Sequence, residues 1–267
     1  GAASNTVDEE GLSNGIIGGP NDATGANTTV TGTLGYNFGG DGAASTGAFT
    51  WSTAGLPGLS SGGTALVYSV SADGLTLTGA KTGGGATVFT VKVTDLATGA
   101  YEFKLLLPLD HSAPVSPVTS DEDDIPLSFG YTVKDDDGST ATGSLGITID
   151  DDSPTVDLLP NIGASVVEGA TYNGTWSSGY GADGAGSTKV LVGANEYDLN
   201  TDIALASGTL RVNSDGTWRF QAANGLDQDV VNSQSFSVRV RDYDQDTVTD
   251  NITIAVTDAA TPTGGTA

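Results

Sequence analysis

Short segments in which apolar and polar residues alternate recur along most of the chain. In residues 235–242 (SFSVRVRD), the apolar Phe236, Val238 and Val240 are separated by polar residues. This period of two is the pattern of a β-strand with one buried face. Comparable segments begin at Thr64, Thr87, Tyr101, Leu127, Gly143, Gly208, Gly216 and Asn251. Because helical periodicity is essentially missing and turn-forming residues close the segments, the sequence predicts an all-β sandwich of antiparallel strands.

The two halves of the chain resemble each other at three places, which indicates an internal repeat. Val7 and Glu9 correspond to Val166 and Glu168, 159 residues later. Residues 99–110 correspond to 216–227 at a separation of 117, and residues 129–151 correspond to 236–258 at a separation of 107. The falling separation means that the first copy carries extra residues, most of them in the Gly-, Ser- and Thr-rich stretch before Thr64.

A proline marks the boundary between the two copies. Pro154 follows the acidic run Asp150, Asp151 and Asp152, and proline cannot continue a central strand. We therefore predict two tandem immunoglobulin-like β-sandwich domains, residues 1–152 and 153–267, of which the first is enlarged by insertions.

The charge of the chain is strongly negative and is carried mainly by aspartate. The net charge is −24, and 27 Asp stand against 6 Glu. Nucleic acid and anionic membranes are poor partners for such a chain, and no apolar run has the ~18 residues that membrane insertion requires. Cysteine is missing, so disulfides and thiol chemistry are excluded. The preference for the shorter carboxylate favours tight turns and loops that bind a hard cation, above all Ca²⁺.

Two loops concentrate the aspartates at matched positions of the repeat. Neither fits an EF-hand, because Thr253 in one and Gly146 in the other stand where the closing Glu is required. In an immunoglobulin-like topology the last hairpin loop lies at the end where the chain enters, so we expect one metal site at the second copy and one at the first. The site at the second copy would use Asp150, Asp151, Asp152, Glu168, Asp242, Asp244 and Asp246. The other would use Asp8, Glu9, Glu10, Asp135, Asp136 and Asp137.

An ordinary explanation of acidic runs is that they are turn residues on a solvated surface. Recurrence at matched positions of a repeat favours calcium instead. Without a cation, so many close carboxylates would repel one another. We expect a bound divalent ion to stabilise the folded loops.

Several segments resemble the repeat modules of giant RTX-type bacterial adhesins that are exported by type I secretion. They are residues 76–111, residues 121–156, and the later GTLRVNSDGTWRFQAANGLDQDV and RVRDYDQDTVTDNITIAV, which are similar to VCBS and cadherin-like repeats. The resemblance implies calcium-dependent β-sandwich modules, joined end to end on the bacterial cell surface, that serve attachment and biofilm formation. The implied partners are neighbouring modules of the same adhesin, with the chain itself a monomer. The glycine-rich RTX nonapeptide is missing.

An enzymatic function has little support in the sequence. The single histidine, His111, lies in a PLDHS segment that we interpret as a turn, and no serine elbow accompanies it. We expect a module that extends the adhesin or supports its ligand-binding domains.

The alternative is a carbohydrate- or peptide-binding module. It would contact the ligand directly through Tyr36, Phe38 and Trp51 of the inserted stretch, where flexible Gly and Ser surround the aromatic residues. Against it, aromatic residues of β proteins mostly fill cores.

Overall fold

The chain forms two compact units. A computed structural model describes residues 5–18, 25–111, 123–160, 163–227 and 233–259. The first unit comprises Gly1–Ser153 with Gly181–Gly184 and Tyr243–Asp246, and the second comprises Pro154–Tyr180, Ala185–Asp242 and Thr247–Ala267. The described residues contain no α-helix, and their one helical element is a single 3₁₀ turn, Glu9–Gly11. The predicted all-β sandwich class is confirmed. No helix in this part of the chain is long and apolar enough to cross a membrane.

The first unit is built from two sheets. Its strands are β1 (Thr6–Asp8), β2 (Thr29–Thr33), β3 (Phe49–Trp51), β4 (Ser60–Ser61), β5 (Thr64–Val70), β6 (Thr76–Lys81), β7 (Thr87–Asp95), β8 (Ala100–Leu105), β9 (Ile125–Lys134) and β10 (Thr140–Asp150). One sheet has the order β1-β10-β9-β3, and the other has the order β2-β8-β7-β6-β5-β4. Apart from β1, which runs parallel to β10, neighbouring strands are antiparallel.

The second unit repeats this plan with two five-stranded sheets. Its strands are β11 (Thr155–Leu159), β12 (Ser165–Val167), β13 (Thr171–Gly179), β14 (Ala185–Val192), β15 (Asn195–Tyr197), β16 (Ile203–Leu205), β17 (Gly208–Val212), β18 (Thr217–Ala222), β19 (Ser233–Asp242) and β20 (Thr247–Thr257). The strand orders are β12-β20-β19-β14-β15 and β11-β13-β18-β17-β16.

The register of the sheets confirms the internal repeat. In the first unit Thr6 of β1 lies opposite Thr148 of β10. In the second unit Ser165 of β12 lies opposite Ala255 of β20. Ser165 follows Thr6 by 159 residues and Ala255 follows Thr148 by 107, the same separations that relate the two halves of the sequence. The matched segments therefore form the same strands in the same register.

Each unit has its own apolar core, and the strands with period two supply most of it. In β19 the side chains of Phe236, Val238 and Val240 are buried, as their alternation predicts. In the first unit the aromatic rings of Phe89, Phe103 and Phe129 meet with centroids 5.5–5.8 Å apart. Such ring contacts add to the apolar area that burial removes from water.

Four glycines lie directly opposite an aromatic residue on the neighbouring strand, where a side chain of their own would collide with the ring. In β10 a Cβ on Gly143 would meet the ring of Tyr131, its partner on β9. The ring covers the bare backbone, a known way of stabilising a glycine within a sheet. The other pairs are Gly32 with Tyr101, Gly79 with Phe89, and Gly174 with Trp218.

The inserted stretch of the first copy is part of the sandwich. Its strand β3 pairs with β9 and places Trp51 in the core, where the side chain is 2% exposed and its Nε1 donates to the carbonyl oxygen of Leu75 at 3.0 Å. The proposal that Trp51 contacts a ligand is therefore wrong, because packing on Phe49 and Tyr131 occupies the ring.

Candidate metal centre

A cluster of acidic side chains forms at one end of β10. The parallel pairing of β1 with β10 sets Asp8 beside Asp150, so the residues that follow these strands, Glu9 and Asp151, come together. The segment after β8 brings His111 to the same place, and the segments Gly181–Gly184 and Tyr243–Asp246 bring further aspartates. Every member of this cluster belongs to the first unit.

Two overlapping groups in the cluster have the spacing of metal ligands. One consists of Glu9, His111 and Asp151, and the other consists of Asp151, Asp244 and Asp246. Within each group, one potential ligand atom per residue lies within 4.8 Å of the others. All five residues are buried, and Glu9 and Asp151 are 0% exposed. Asp151 is common to both groups.

Backbone N–H groups hold several of these carboxylates in place. Leu109 N donates to Oε1 of Glu9 at 2.9 Å, and His111 N donates to Oδ2 of Asp244 at 3.0 Å. Asp152 accepts from Ala182 N at 2.7 Å and from Ile16 N at 3.2 Å. The cluster is therefore preorganised by the main chain.

The opposite oxygens of three carboxylates have no such partner. Oε2 of Glu9, Oδ2 of Asp183 and Oδ1 of Asp244 are fully buried and accept no hydrogen bond from the described residues. A buried polar atom without a partner is rare and costly. Together with their acceptor-only chemistry, these three oxygens fit a site that receives a cation.

The electrostatics of the cluster favour either protonated carboxyls or a nearby positive charge. Burial raises the pKa of Glu9 well above its ordinary value, and the charges of Asp244, Asp152 and Asp110 add to that effect, while the Leu109 N–H opposes it. Burial and neighbouring carboxylates likewise raise the pKa of Asp151 far above its usual range and that of Asp183 to about 10. Burial raises the pKa of Asp152 to about 6. These carboxylates cannot all be ionised at neutral pH unless a cation lies among them.

His111 is a member of the cluster that sequence reasoning missed. Its side chain is buried, with Nε2 at 3.4 Å from Oε1 of Glu9 and Nδ1 at 3.7 Å from Oδ2 of Asp151. Nδ1 also hydrogen bonds to the carbonyl oxygen of Asp123. Burial lowers the pKa of the imidazole, although the surrounding carboxylates, Asp244 first, act in the opposite direction. The interpretation of His111 as an ordinary turn residue is thus wrong.

The remaining predicted ligands at this end of β10 make contacts with nearby residues. Oδ1 of Asp8 caps the 3₁₀ turn by accepting from Glu10 N at 2.8 Å, and Oε1 of Glu10 accepts from Gly18 N at 2.5 Å. Asp150 is buried beside Asp8. Asp183, in contrast, was not among the predicted ligands, since a single Asp in a Gly- and Ala-rich segment carries no distinctive pattern.

Glu168 and Asp242 belong to the second unit. Oε2 of Glu168 accepts from Leu226 N at 2.8 Å, and Asp242 is buried at the end of β19. Neither is part of the two ligand groups found among the described residues.

The loop of Asp135, Asp136 and Asp137 lies at the other end of β10. It precedes Thr140, ten residues before Asp150, and at 3.4 Å per residue the two ends are about 34 Å apart. The predicted grouping of Asp135 and Asp137 with Glu9 is therefore wrong. The loop is largely exposed, and Ser139 N donates to Oδ1 of Asp135 at 2.7 Å and to Oδ1 of Asp137 at 3.1 Å.

Solved structures similar to this chain are β-sandwich proteins. The extracellular cadherin domains 3–6 of protocadherin gamma B2 match 73% of this chain and 49% of that one at 14% identity, with a TM-score of 0.28. The fibronectin(III)-like modules of Clostridium thermocellum CbhA match 82% of this chain and 99% of that one at 13% identity, with a TM-score of 0.27. Drosophila N-cadherin EC1-4 matches 62% and 38% at 12% identity, with a TM-score of 0.29.

The sequence itself matches one protein family. The chain spans about half the length of the protocadherin structures it matches. No curated protein matches it in sequence. A family model covers residues 5–148, which is more than half of the chain and includes strand β1 and all but the last two residues of β10. The chain therefore belongs to the family described as Domain of unknown function (DUF5801).

Proposed function

We propose that this chain is a calcium-stabilised extracellular module of a large bacterial adhesin, exported by type I secretion. It would serve cell attachment and biofilm formation by extending the adhesin or by supporting its ligand-binding domains. No enzymatic activity is assigned to it. The observation that carries the proposal is the acidic cluster of Glu9, Asp151, Asp183, Asp244 and Asp246. Each of the first four has a buried oxygen without a hydrogen-bond partner among the described residues, which supports a bound cation.

The donor set around Asp244 favours calcium over other common cations. Calcium takes six to eight oxygens at 2.3–2.6 Å in flexible geometry, and carboxylates from several loops can supply them. The group Asp151, Asp244 and Asp246 offers carboxylates alone. Magnesium requires a near-ideal octahedron and keeps much of its water, which suits a buried multi-carboxylate cluster less well.

Calcium binding of this kind would couple folding to the compartment. A ligand that binds only the folded state stabilises it by about 2.7 kcal/mol when its free concentration is a hundred times Kd. In a cell interior with little free calcium, the carboxylates would repel one another and disfavour the folded first unit, which suits export. Outside the cell, calcium would complete the fold without any disulfide.

Thermal unfolding in calcium and in EDTA tests the proposal. We expect saturating calcium to raise the melting temperature by roughly 5–11 °C per bound ion at a hundredfold excess over Kd. Asp244→Asn should lose most of this rise. The matched control Asp41→Asn, at an exposed position of the same unit, should keep it. Identical melting in calcium and EDTA would remove the basis of the proposal.

One observation favours the alternative of direct ligand binding. An open groove of about 560 Å³ is lined by Tyr36, Phe38 and Leu96 among others. Tyr36 and Phe38 are only partly buried, and their rings meet edge to face at 5.3 Å. Glycan and peptide arrays in calcium distinguish the two functions: a specific signal that Phe38→Ala abolishes would support a binding module, and none is expected from an extender.

A further inference from the structure

The position of His111 is not explained by a calcium site. Calcium is bound in proteins by oxygen, whereas His111 offers a nitrogen. The side chain is nevertheless only 2% exposed and faces carboxylates through both of its nitrogens. It lies next to the group Asp151, Asp244 and Asp246 and is not a member of it.

The hydrogen bond at Nδ1 determines which nitrogen can bind a metal. The partner of Nδ1 is the carbonyl oxygen of Asp123, which can only accept, so Nδ1 carries the proton. In the neutral imidazole, Nε2 then presents a lone pair toward Oε1 of Glu9 at 3.4 Å. Two acceptors that face each other in a buried site need a proton or a metal ion between them. Metal-binding histidines are oriented in the same way, by donating the other N–H to a carbonyl or carboxylate.

The separation of these atoms suits two ligands of one ion. Donors held at 2.0–2.1 Å in a tetrahedral zinc site lie about 3.3–3.4 Å apart, which matches the 3.4 Å between Nε2 and Oε1. Oε2 of Glu9 is buried without a hydrogen-bond partner among the described residues, so a second oxygen of the same side chain is available.

We propose that Glu9, His111 and Asp151 form a second cation site that takes a first-row transition-metal dication such as Zn²⁺, next to the calcium group and sharing Asp151 with it. The nitrogen donor selects the metal, because imidazole suits zinc and its neighbours while carboxylates alone suit calcium. This inference rests on the proposed calcium function for the neighbouring group, and the two can fail separately.

An imidazolium ion paired with Glu9 is the simpler alternative. It would supply only one positive charge to a cluster that contains the carboxylates of Glu9, Asp151, Asp183 and Asp244. A dication satisfies the lone pair of Nε2 and two carboxylates at once.

The repeat provides a matched substitution. Leu109 and Asp110 correspond to Leu226 and Asp227 at a separation of 117 residues, and the next residue, His111, corresponds to Gln228. His111→Gln therefore replaces the imidazole with the residue that the second copy has at that position. It removes the Nε2 ligand and keeps a side chain that can hydrogen bond.

The test uses the full chain without a histidine tag, so that His111 is its one imidazole. The calcium-saturated protein is titrated with Zn²⁺ while the ¹⁵N resonances of the imidazole are recorded by NMR, and the affinity for zinc and for calcium is measured by calorimetry. We expect one equivalent of zinc to shift the Nε2 resonance with calcium still bound. His111→Gln should weaken zinc binding at least about 10-fold and leave calcium binding in place. The control Asp41→Asn should leave the binding of both ions unchanged.

The outcomes separate the two proposals. Normal calcium binding with an imidazole that does not respond to zinc, or that stays doubly protonated at neutral pH, overturns the second site and leaves the calcium function standing. Zinc that displaces calcium without shifting Nε2 overturns it as well. Failure to bind either ion overturns both. The NMR titration needs no variant, so the test stays decisive even if His111→Gln does not fold.

Discussion

Replacing Asp151 by asparagine should stabilise the chain in the absence of metal, although Asp151 is fully buried at the centre of the acidic cluster. Most substitutions of buried residues destabilise. Here the removed group is a carboxylate whose pKa is raised far above neutrality, by burial first and then by Asp244 and Glu9. Asparagine has nearly the same shape and no charge to neutralise.

The size of the effect follows from the pKa. The ordinary value for Asp is 3.8, so keeping the carboxyl protonated in the folded state at about pH 7 costs roughly 4 kcal/mol. Asparagine avoids this cost in the ion-free protein, and roughly 4 kcal/mol is an upper limit because the loop segments can open to water. It also deletes the ligand shared by the two groups of the cluster, so the rise of stability on adding calcium should largely disappear.

Urea unfolding in excess EDTA and in saturating calcium measures both effects on the same protein. Wild type should gain stability with calcium, whereas Asp151→Asn should start higher in EDTA and gain little. Asp41→Asn, at an exposed position of the first unit, should change stability by less than about 0.5 kcal/mol in either condition. The reasoning is refuted if Asp151→Asn is less stable than wild type in EDTA by as much as it is in calcium.

Two further predictions concern pH and backbone packing. In EDTA the folded state binds more protons than the unfolded one, because the pKa values of Asp152 and Asp183 rise from 3.8 to about 6 and about 10. Stability should therefore fall as the pH rises from about 4 to about 8, with a shallower slope in Asp152→Asn. A stability that rises over this pH range would contradict the reasoning. Gly143→Ala should cost about 1–3 kcal/mol because its Cβ would meet the ring of Tyr131. Gly146→Ala, with open space at the same strand, should be neutral or gain up to about 1 kcal/mol, and equal effects in urea denaturation would argue against the ring packing.

The strands and the repeat could be predicted from the sequence because both depend on local patterns. Alternation of apolar residues identified β5, β7, β9 and β19, and the separation of 107 residues reappears in the register of β10 and β20. Short strands such as β1, β3 and β12 escaped notice, since three residues contain too little periodicity. Their positions are set by pairing with partners far away in the chain.

The acidic cluster could be predicted only in part. Asp151, Asp244 and Asp246 come together as expected, because the run after β10 and the loop after β19 are rich in Asp. The parallel pairing of β1 with β10 was not anticipated. It places Glu9 near the last residue of β10, whereas Asp135 lies near its first residue. His111 gave no signal of its own, because a histidine beside an aspartate is ordinary until the fold is known.

The glutamate that follows the first strand has the same backbone contact in both copies, which bears on what it does. Glu9 accepts from Leu109 N at 2.9 Å, and Glu168 accepts from Leu226 N at 2.8 Å, at matching positions of the repeat. One oxygen of this glutamate thus fastens the segment after β8 or β18 to the start of the unit, and in Glu9 the other oxygen is buried without a hydrogen-bond partner among the described residues. The longer side chain of glutamate therefore explains its presence here in a chain that otherwise prefers aspartate: one oxygen reaches the main chain of the segment after β8 or β18. In the proposed metal site of the first unit, the second oxygen of Glu9 would meet the cation.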